Sequence, residues 1–150
     1  MNNKSNSIRD KFKIIISVGD ESGIGPEIIL KALFSKEIPN NLDFIIVGSK
    51  DNLENTYKNL KSLGVENIVD PKNYQVHDIK IPFELNKQKK SNGNASFFYL
   101  KKAIEIVQNY KNAALVTGPI CKKSWALAGH NYTGQTELLA ESCQVNNVGM

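Results

Sequence analysis

The sequence predicts an α/β fold built on a largely parallel sheet. Two apolar runs, Ile14 to Val18 and Phe44 to Val47, are each followed within a few residues by a helical pattern. A third run, "AALVTG", leads into "PICKKSWALAG" with the same grammar. Strands that alternate with helices are the pattern of a parallel sheet covered on its faces. At 150 residues the chain is long enough for one ordinary domain.

In order, the first strand ends in "SVGDESGIGPEI", from Ser17 to Ile28. Gly23 and Gly25 allow positive φ or close backbone approach, and Pro26 is pre-set for the first turn of a helix. That helix places Ile28, Ile29, Ala32 and Leu33 at helical spacing, as if packed on a sheet. "LDFIIVG" is the second strand. "SKDNLENTYKNLKSLG" follows it, with Leu53, Tyr57, Leu60 and Leu63 on one face and a stop at Gly64. The middle holds one or two short extended pieces interrupted by Pro71 and Pro82, more edge-like than central. The lysine-rich "NKQKKSN", Asn86 to Asn92, reads as a solvated loop, since no aromatic residues interleave it as a nucleic-acid site would require. A long helix is predicted from Asn94 to about Tyr110, with Phe97, Leu100, Ile104 and Val107 sharing a face and Lys101 and Lys102 off it.

"AALVTG" reads as a buried strand, after which Pro119 turns the chain and Gly129 stops the next helix. "TGQTELLAESC" starts another helix, in which Thr133 or Gly134 could cap and Glu137 lies in the first turn. "VNNVGM" reads as the opening of a further strand, so the expected fold is incomplete and this chain is the front portion of something longer. The expected organisation is a flexible tail at residues 1–12, then the amino-terminal part of a longer fold at 13–150.

Hydrophobic residues at 41% and charged residues at 23% are those of a globular chain, which excludes global disorder. The apolar run after the polar head is too short for a signal peptide or membrane span, and Cys121 and Cys143 are too few and too far apart for a disulfide framework. Cytoplasmic location, no membrane partner and two buried thiols are the corresponding expectations. With two histidines, His77 and His130, and no paired carboxylate at ligand spacing, no metal site assembles from these residues. The glycine-rich turn is neither a Walker loop nor a GxGxxG fingerprint.

Three stretches remain as candidates for chemistry. Asp20 and Glu21 stand at the end of the first strand, where open α/β sheets gather ligands, and the alternative is that Asp20 only bonds its own turn and Glu21 is solvated. The helix beginning at Gly25 and Pro26 would aim free N–H groups into that turn, which can hold an anion. Lys122 and Lys123 follow the strand end at Gly118 and could meet a phosphate, or could be surface lysines on an exposed helix face. Gln135 and Thr136 offer uncharged donors and acceptors beside Gly134, suited to reading a small polar substrate, or Thr136 and Glu137 only cap their helix.

"GDESGIGPEI", "ALVTGPICK" and "GQTELLAE", in this order and with "SNGNASFFYLKKA" between them, resemble the 4-hydroxythreonine-4-phosphate dehydrogenases of pyridoxal phosphate biosynthesis. The resemblance runs from about Lys13 to Met150. It implies a three-layer isocitrate/isopropylmalate dehydrogenase-like fold and a homodimer in the full-length family. It implies NAD and a divalent metal (Zn, Mg or Co) as cofactors. The implied reaction is oxidation of the secondary alcohol of 4-phosphohydroxy-L-threonine, followed by loss of carbon dioxide. The family's substrate pair, a histidine and a threonine, falls on Gln135 and Thr136. Asp20, Gly23, Gly25 and Lys122 are the residues expected to line the cleft. The family's metal-binding histidines lie after the matched region, so the resemblance assigns no metal ligand and no catalytic residue here. Two departures stand out: Gln135 cannot carry a proton near neutral pH as histidine can, and Glu21-Ser22 replaces the family's usual Pro-Ala. This chain alone is expected to be weakly active or inactive, and the alternatives are a non-catalytic phosphate-binding or interaction fragment of the same scaffold, or an enzyme acting on another phosphorylated hydroxy acid.

Overall fold

A computed structural model describes residues 11–81 and 88–145. Residues 1–10 of the tail read at 1–12, the break at Pro82, and all but Val145 of the strand expected at residues 145–150 lie outside the described residues. Four parallel strands, β1 (Phe12–Ser17), β2 (Leu42–Gly48), β3 (Gln75–Asp78) and β4 (Ala113–Thr117), form a sheet in the order β3-β2-β1-β4. Five helices accompany them: α1 (Gly25–Ala32), α2 (Lys50–Ser62), α3 (Gln88–Gln108), α4 (Lys122–Leu127) and α5 (Gln135–Ser142). A single 3-10 turn at Pro71–Asn73 precedes β3.

The period-two alternation of a strand divides the core into layers. Ile16 and Ile46 face α1 and α2, packing with Ile29, Leu30, Leu33, Leu53 and Leu60. Ile15, Ile45 and Val47 face the other way, onto Ala103 of α3. A third cluster, Phe97, Leu100, Ile104, Trp125 and Leu138, joins α3 to α4 and α5. The result is an α/β/α sandwich of parallel strands. No described helix is long and apolar enough to cross a membrane.

The structure corrects five readings. Helix α3 begins at Gln88, inside the lysine-rich stretch read as a loop, because Ser91, Gly93 and Ser96 of its first turns are buried. β4 is an edge of the described sheet and Val116 is 49% exposed, so an apolar run did not mean a covered strand. In α1 the buried face is Ile29, Leu30 and Leu33, while Ile28 is 41% exposed and Ala32 is also exposed. Leu63 follows the end of α2 and is exposed. Cys121 is half-buried and Cys143 exposed, so the two thiols are not core residues. The short β3 is an edge of the described sheet, in keeping with the edge-like reading of this stretch.

Candidate functional site

The candidate residues gather at the carboxyl ends of β1 and β4, and the backbone of Val18 is the point around which they close. Val18 itself is 1% exposed, and its N–H donates to the Val47 carbonyl at 3.0 Å. A Cβ on Gly25 would stand 2.3 Å from the Val18 carbonyl oxygen, and one on Gly118 would stand 2.2 Å from the same atom. No side chain fits at that separation, so glycine lets the start of α1 and the end of β4 share one strand end. Gly19 takes φ +78°, in the left-handed region, and its α-carbon lies against the Pro119 carbonyl, where a Cβ would come within 2.3 Å. The Asp20 N–H then donates to that same carbonyl at 2.8 Å. Gly23, expected to need such freedom, has neither a positive φ nor a close neighbour and is exposed.

Of the two readings of Asp20, the turn-bonding one is realised: its Oδ1 accepts from the Ser22 N–H at 3.0 Å and the Ser22 hydroxyl at 2.7 Å. Glu21 is not solvated as the alternative had it. Its Oε1 accepts the hydroxyl of buried Tyr99 at 2.7 Å, and its carbonyl accepts the Asn52 amide at 3.3 Å. Burial raises the Glu21 carboxyl above the usual range, the Tyr99 hydroxyl works against that rise, and nearby Asp20 adds to it.

On the other rim, the Gln135 Nε2 donates to the Gly118 carbonyl at 2.7 Å, which ties the first residue of α5 to the end of β4. A carbonyl can only accept, so this bond fixes which end of the carboxamide points at Gly118 and turns Oε1 away from it. Thr136, half-buried, follows it in the helix. Helix α5 starts at an N-cap Gly134 that makes no side-chain cap. Lys122 lies along that start: its Cε and Nζ are 3.4 and 3.7 Å from where a Gly134 Cβ would be. Instead of capping N–H groups within its helix, Glu137 reaches back to the N–H and hydroxyl of Thr133, and these bonds hold its carboxyl below the usual range, with Lys122 contributing.

Three features of this cleft were not read from the sequence as site features. Gly19 and Gly118 carry the backbone crossing, and the signal for them was present as the glycines that end "SVG" and "VTG". Cys121, the residue before α4, is the third. Its thiol is held below the usual thiol range by the Ser124 hydroxyl and N–H, with burial and Asp20 acting in the opposite direction. His130 is a packing residue, stacked on Phe97 at 3.7 Å with Nε2 on the Asn94 Oδ1 at 2.9 Å. Among the described residues, no group of three or more His, Cys, Asp or Glu could hold a metal ion.

The arrangement therefore brings together Asp20, Gly25, Lys122, Gln135 and Thr136, and leaves Gly23 on its outer surface. One rim carries the Lys122 ammonium at the start of α5, suited to an anion, with the Glu137 carboxylate turned onto Thr133; the other carries Asp20, while the Glu21 carboxyl is turned onto Tyr99. Residues 40–150 match the family described as pyridoxal phosphate biosynthetic protein PdxA. A 4-hydroxythreonine-4-phosphate dehydrogenase of Nostoc sp. is 40% identical over 147 residues, a match covering 92% of this chain and 40% of the relative. A Fusobacterium nucleatum relative, 34% identical over 147 residues, covers 87% of this chain and 43% of its own length, and its name assigns it D-threonate 4-phosphate instead. The crystal structure of a 4-hydroxythreonine-4-phosphate dehydrogenase from Burkholderia phymatum superposes with a TM-score of 0.72 at 25% identity, covering 91% of this chain and 44% of that one. This chain spans about 40% of the length of the curated relatives it matches. With its parallel sheet, its strand-end glycines and a family match over most of its length, the chain belongs to the pyridoxal phosphate biosynthetic protein PdxA family.

Proposed function

We propose that this chain supplies the phosphate-side substrate subsite of an NAD-dependent 4-hydroxythreonine-4-phosphate dehydrogenase, the oxidation being followed by decarboxylation. The observation that carries the reading is Lys122 laid along the start of α5, next to Gln135 and Thr136. The Lys122 ammonium and the first N–H groups of α5 receive the anion, and the Thr136 hydroxyl adds a donor. The Gln135 Oε1, its Nε2 already engaged by Gly118, accepts from a hydroxyl or ammonium of the substrate. Gly25 and Gly118 hold the cleft floor in place, and Asp20 lines the opposite rim. The described residues do not fit the family's divalent ion, since no three potential ligands converge. They present no glycine fingerprint for the dinucleotide either. What these residues do is bind and orient.

A second reading, a different phosphorylated hydroxy acid as substrate, is favoured by the Fusobacterium relative's name and by an uncharged amide at Gln135. Calorimetric titration of the chain with phosphorylated hydroxythreonine and with phosphorylated threonate separates the two. NADH formation at 340 nm with added zinc or magnesium reports turnover separately. Lys122→Ala is expected to weaken either phosphoester about tenfold to a hundredfold, the value of a charged hydrogen bond. Equal affinity in the wild type and the variant would overturn the assignment of this subsite.

A further inference from the structure

The two edges of the described sheet are finished differently. β3 is four residues long and ends in Asp78, with Pro71 in the turn before it. β4 carries no charge, no proline and no break in its pairing with β1. Free edges are ordinarily guarded by such devices, and this one has none. Its open side can be read from the ladder. The Lys13 N–H donates to the Asn112 carbonyl at 3.0 Å and the Gly118 N–H to the Ser17 carbonyl at 2.7 Å, so the even-numbered residues of β4 face β1. The N–H and carbonyl groups of Ala113, Leu115 and Thr117 are therefore turned outward, with no strand beyond them among the described residues. Beside them the surface is apolar. Val116 is 49% exposed, and with Ile14, Ile16, Ile28 and Ala32 it lines a groove of about 290 Å³ between β4 and α1.

A second copy of β4 fits this edge when it runs antiparallel about a two-fold axis at Leu115. That register sets Ala113 opposite Thr117 and Leu115 opposite itself, and each such pair exchanges two hydrogen bonds, so every outward group of both strands is satisfied. Between these pairs Val116 stands opposite Ala114, large against small, and diagonally across from the other Val116. The charges agree with this register. No charged residue within β4 opposes another, and the exposed Lys111 comes level with Pro119 of the other copy, whose carbonyl accepts the Asp20 N–H at 2.8 Å. A cation is thus brought toward Asp20 at each end of the pair. We propose that this chain pairs with a second copy of itself through β4, and that each copy delivers its Lys111 to the Asp20 rim of the other's cleft. The two sheets become one, Val116 is covered, and the grooves beside α1 join across the axis. The pairing does not depend on which ligand the cleft takes.

Light scattering of the full 150-residue chain tests it, over a dilution series from about 100 μM to about 1 μM, with a reversible dimer expected. Amide exchange reads the register: Ala113, Leu115 and Thr117 should gain protection as concentration rises, while Ala114 and Val116, already bonded to β1, should not change. Val116→Lys sets two like charges across the axis and should weaken the dimer about tenfold or more. Because Val116 is half-exposed, the Trp125 unfolding midpoint of the dilute monomer should stay where it is. Lys111→Glu turns the end contacts repulsive and should weaken the dimer about twofold to tenfold, less so at high salt. A chain that stays monomeric throughout overturns the proposal, and so does a monomer whose outward amides are already protected, since another segment would then cover the edge. A dimer that Val116→Lys leaves intact, or an open-ended assembly in place of a dimer, overturns it equally. A dimer indifferent to Lys111→Glu refutes the delivery of that lysine.

Discussion

Replacing Gly93 by alanine sets two effects of opposite sign against each other. Gly93 lies within α3, where alanine is worth about 1 kcal/mol more than glycine by helix propensity. A Cβ at this position, however, would stand 2.0 Å from the Ser124 carbonyl oxygen and 2.4 Å from its carbon. Ordinary contact begins near 3.4 Å, so α4 has to retreat by roughly an ångström. The carbonyl cannot swing aside, because it accepts the Ala128 N–H at 3.0 Å within its own helix. The retreat also carries away Trp125, which is fully buried, packs edge-on to Phe97 at 5.3 Å and donates to the Ser96 hydroxyl at 2.8 Å. Overpacking costs about 1–3 kcal/mol and a weakened hydrogen bond about 1 more, with lost Trp125 contacts added. Net of the propensity gain, Gly93→Ala is expected to destabilise by about 2–3 kcal/mol, which lowers a urea midpoint by about 1 M or more. Trp125 is the single tryptophan, so its emission follows unfolding and reports the buried ring directly. A Gly93→Ala chain as stable as the wild type, with unshifted native emission, would refute the close approach of α3 and α4.

Ser96→Ala leaves the Trp125 indole N–H buried without its acceptor, and a loss of about 1–3 kcal/mol is expected in the same fluorescence-monitored unfolding. Gln135→Glu sets a carboxylate against the Gly118 carbonyl now 2.7 Å away. Its melting temperature should match the wild type near pH 3, where a protonated acid can donate, and fall behind as pH rises through about 4.3. Glu137→Gln removes a carboxyl held below its usual range by Thr133, whose stabilisation is present above the ordinary glutamate value and lost as pH falls through the lowered one. Thr133 amide exchange should therefore differ between the two proteins at neutral pH and converge in acid.

What was legible in the sequence is what neighbours in sequence decide. β1, β2 and α2 announce themselves through apolar runs and a helical face, and Gly64, at φ +79°, ends α2 where a stop was read. The early start of α3 was not legible. Gln88 to Asn92 carries no apolar period, and it is helical because Ser91 within it and Gly93 and Ser96 in the turns that follow sit buried. Long-range partners were hidden as well: Tyr99 lies 78 residues from Glu21 and Gly118 lies 17 from Gln135. An acid in a turn is solvated by default, and only the placement of α3 brings a buried phenol to it. Gly19 and Gly23 stand in the same motif. The path of β4, which puts the Pro119 carbonyl against Gly19, decides which of them takes the left-handed conformation.

The Val18 crossing makes fold and site one object, and this has a testable consequence for how substitutions divide. Gly25 and Gly118 both abut the Val18 carbonyl, and a Cβ on Gly48 would come within 2.5 Å of the Val18 side chain. Three element ends, the start of α1, the end of β2 and the segment after β4, thus meet on one residue that is itself core. A side chain at Gly25, Gly48 or Gly118 must push apart strands that hold the sheet together, and it displaces the cleft in the same movement. Lys122 is exposed and Thr136 half-buried, and neither bears a comparable share of the packing. Alanine at the three glycines should therefore lower stability and ligand affinity together, whereas Lys122→Ala should lower affinity at unchanged unfolding midpoint. A glycine variant of full stability that binds no ligand would break that link, because it would place the glycines in direct contact with ligand rather than with Val18.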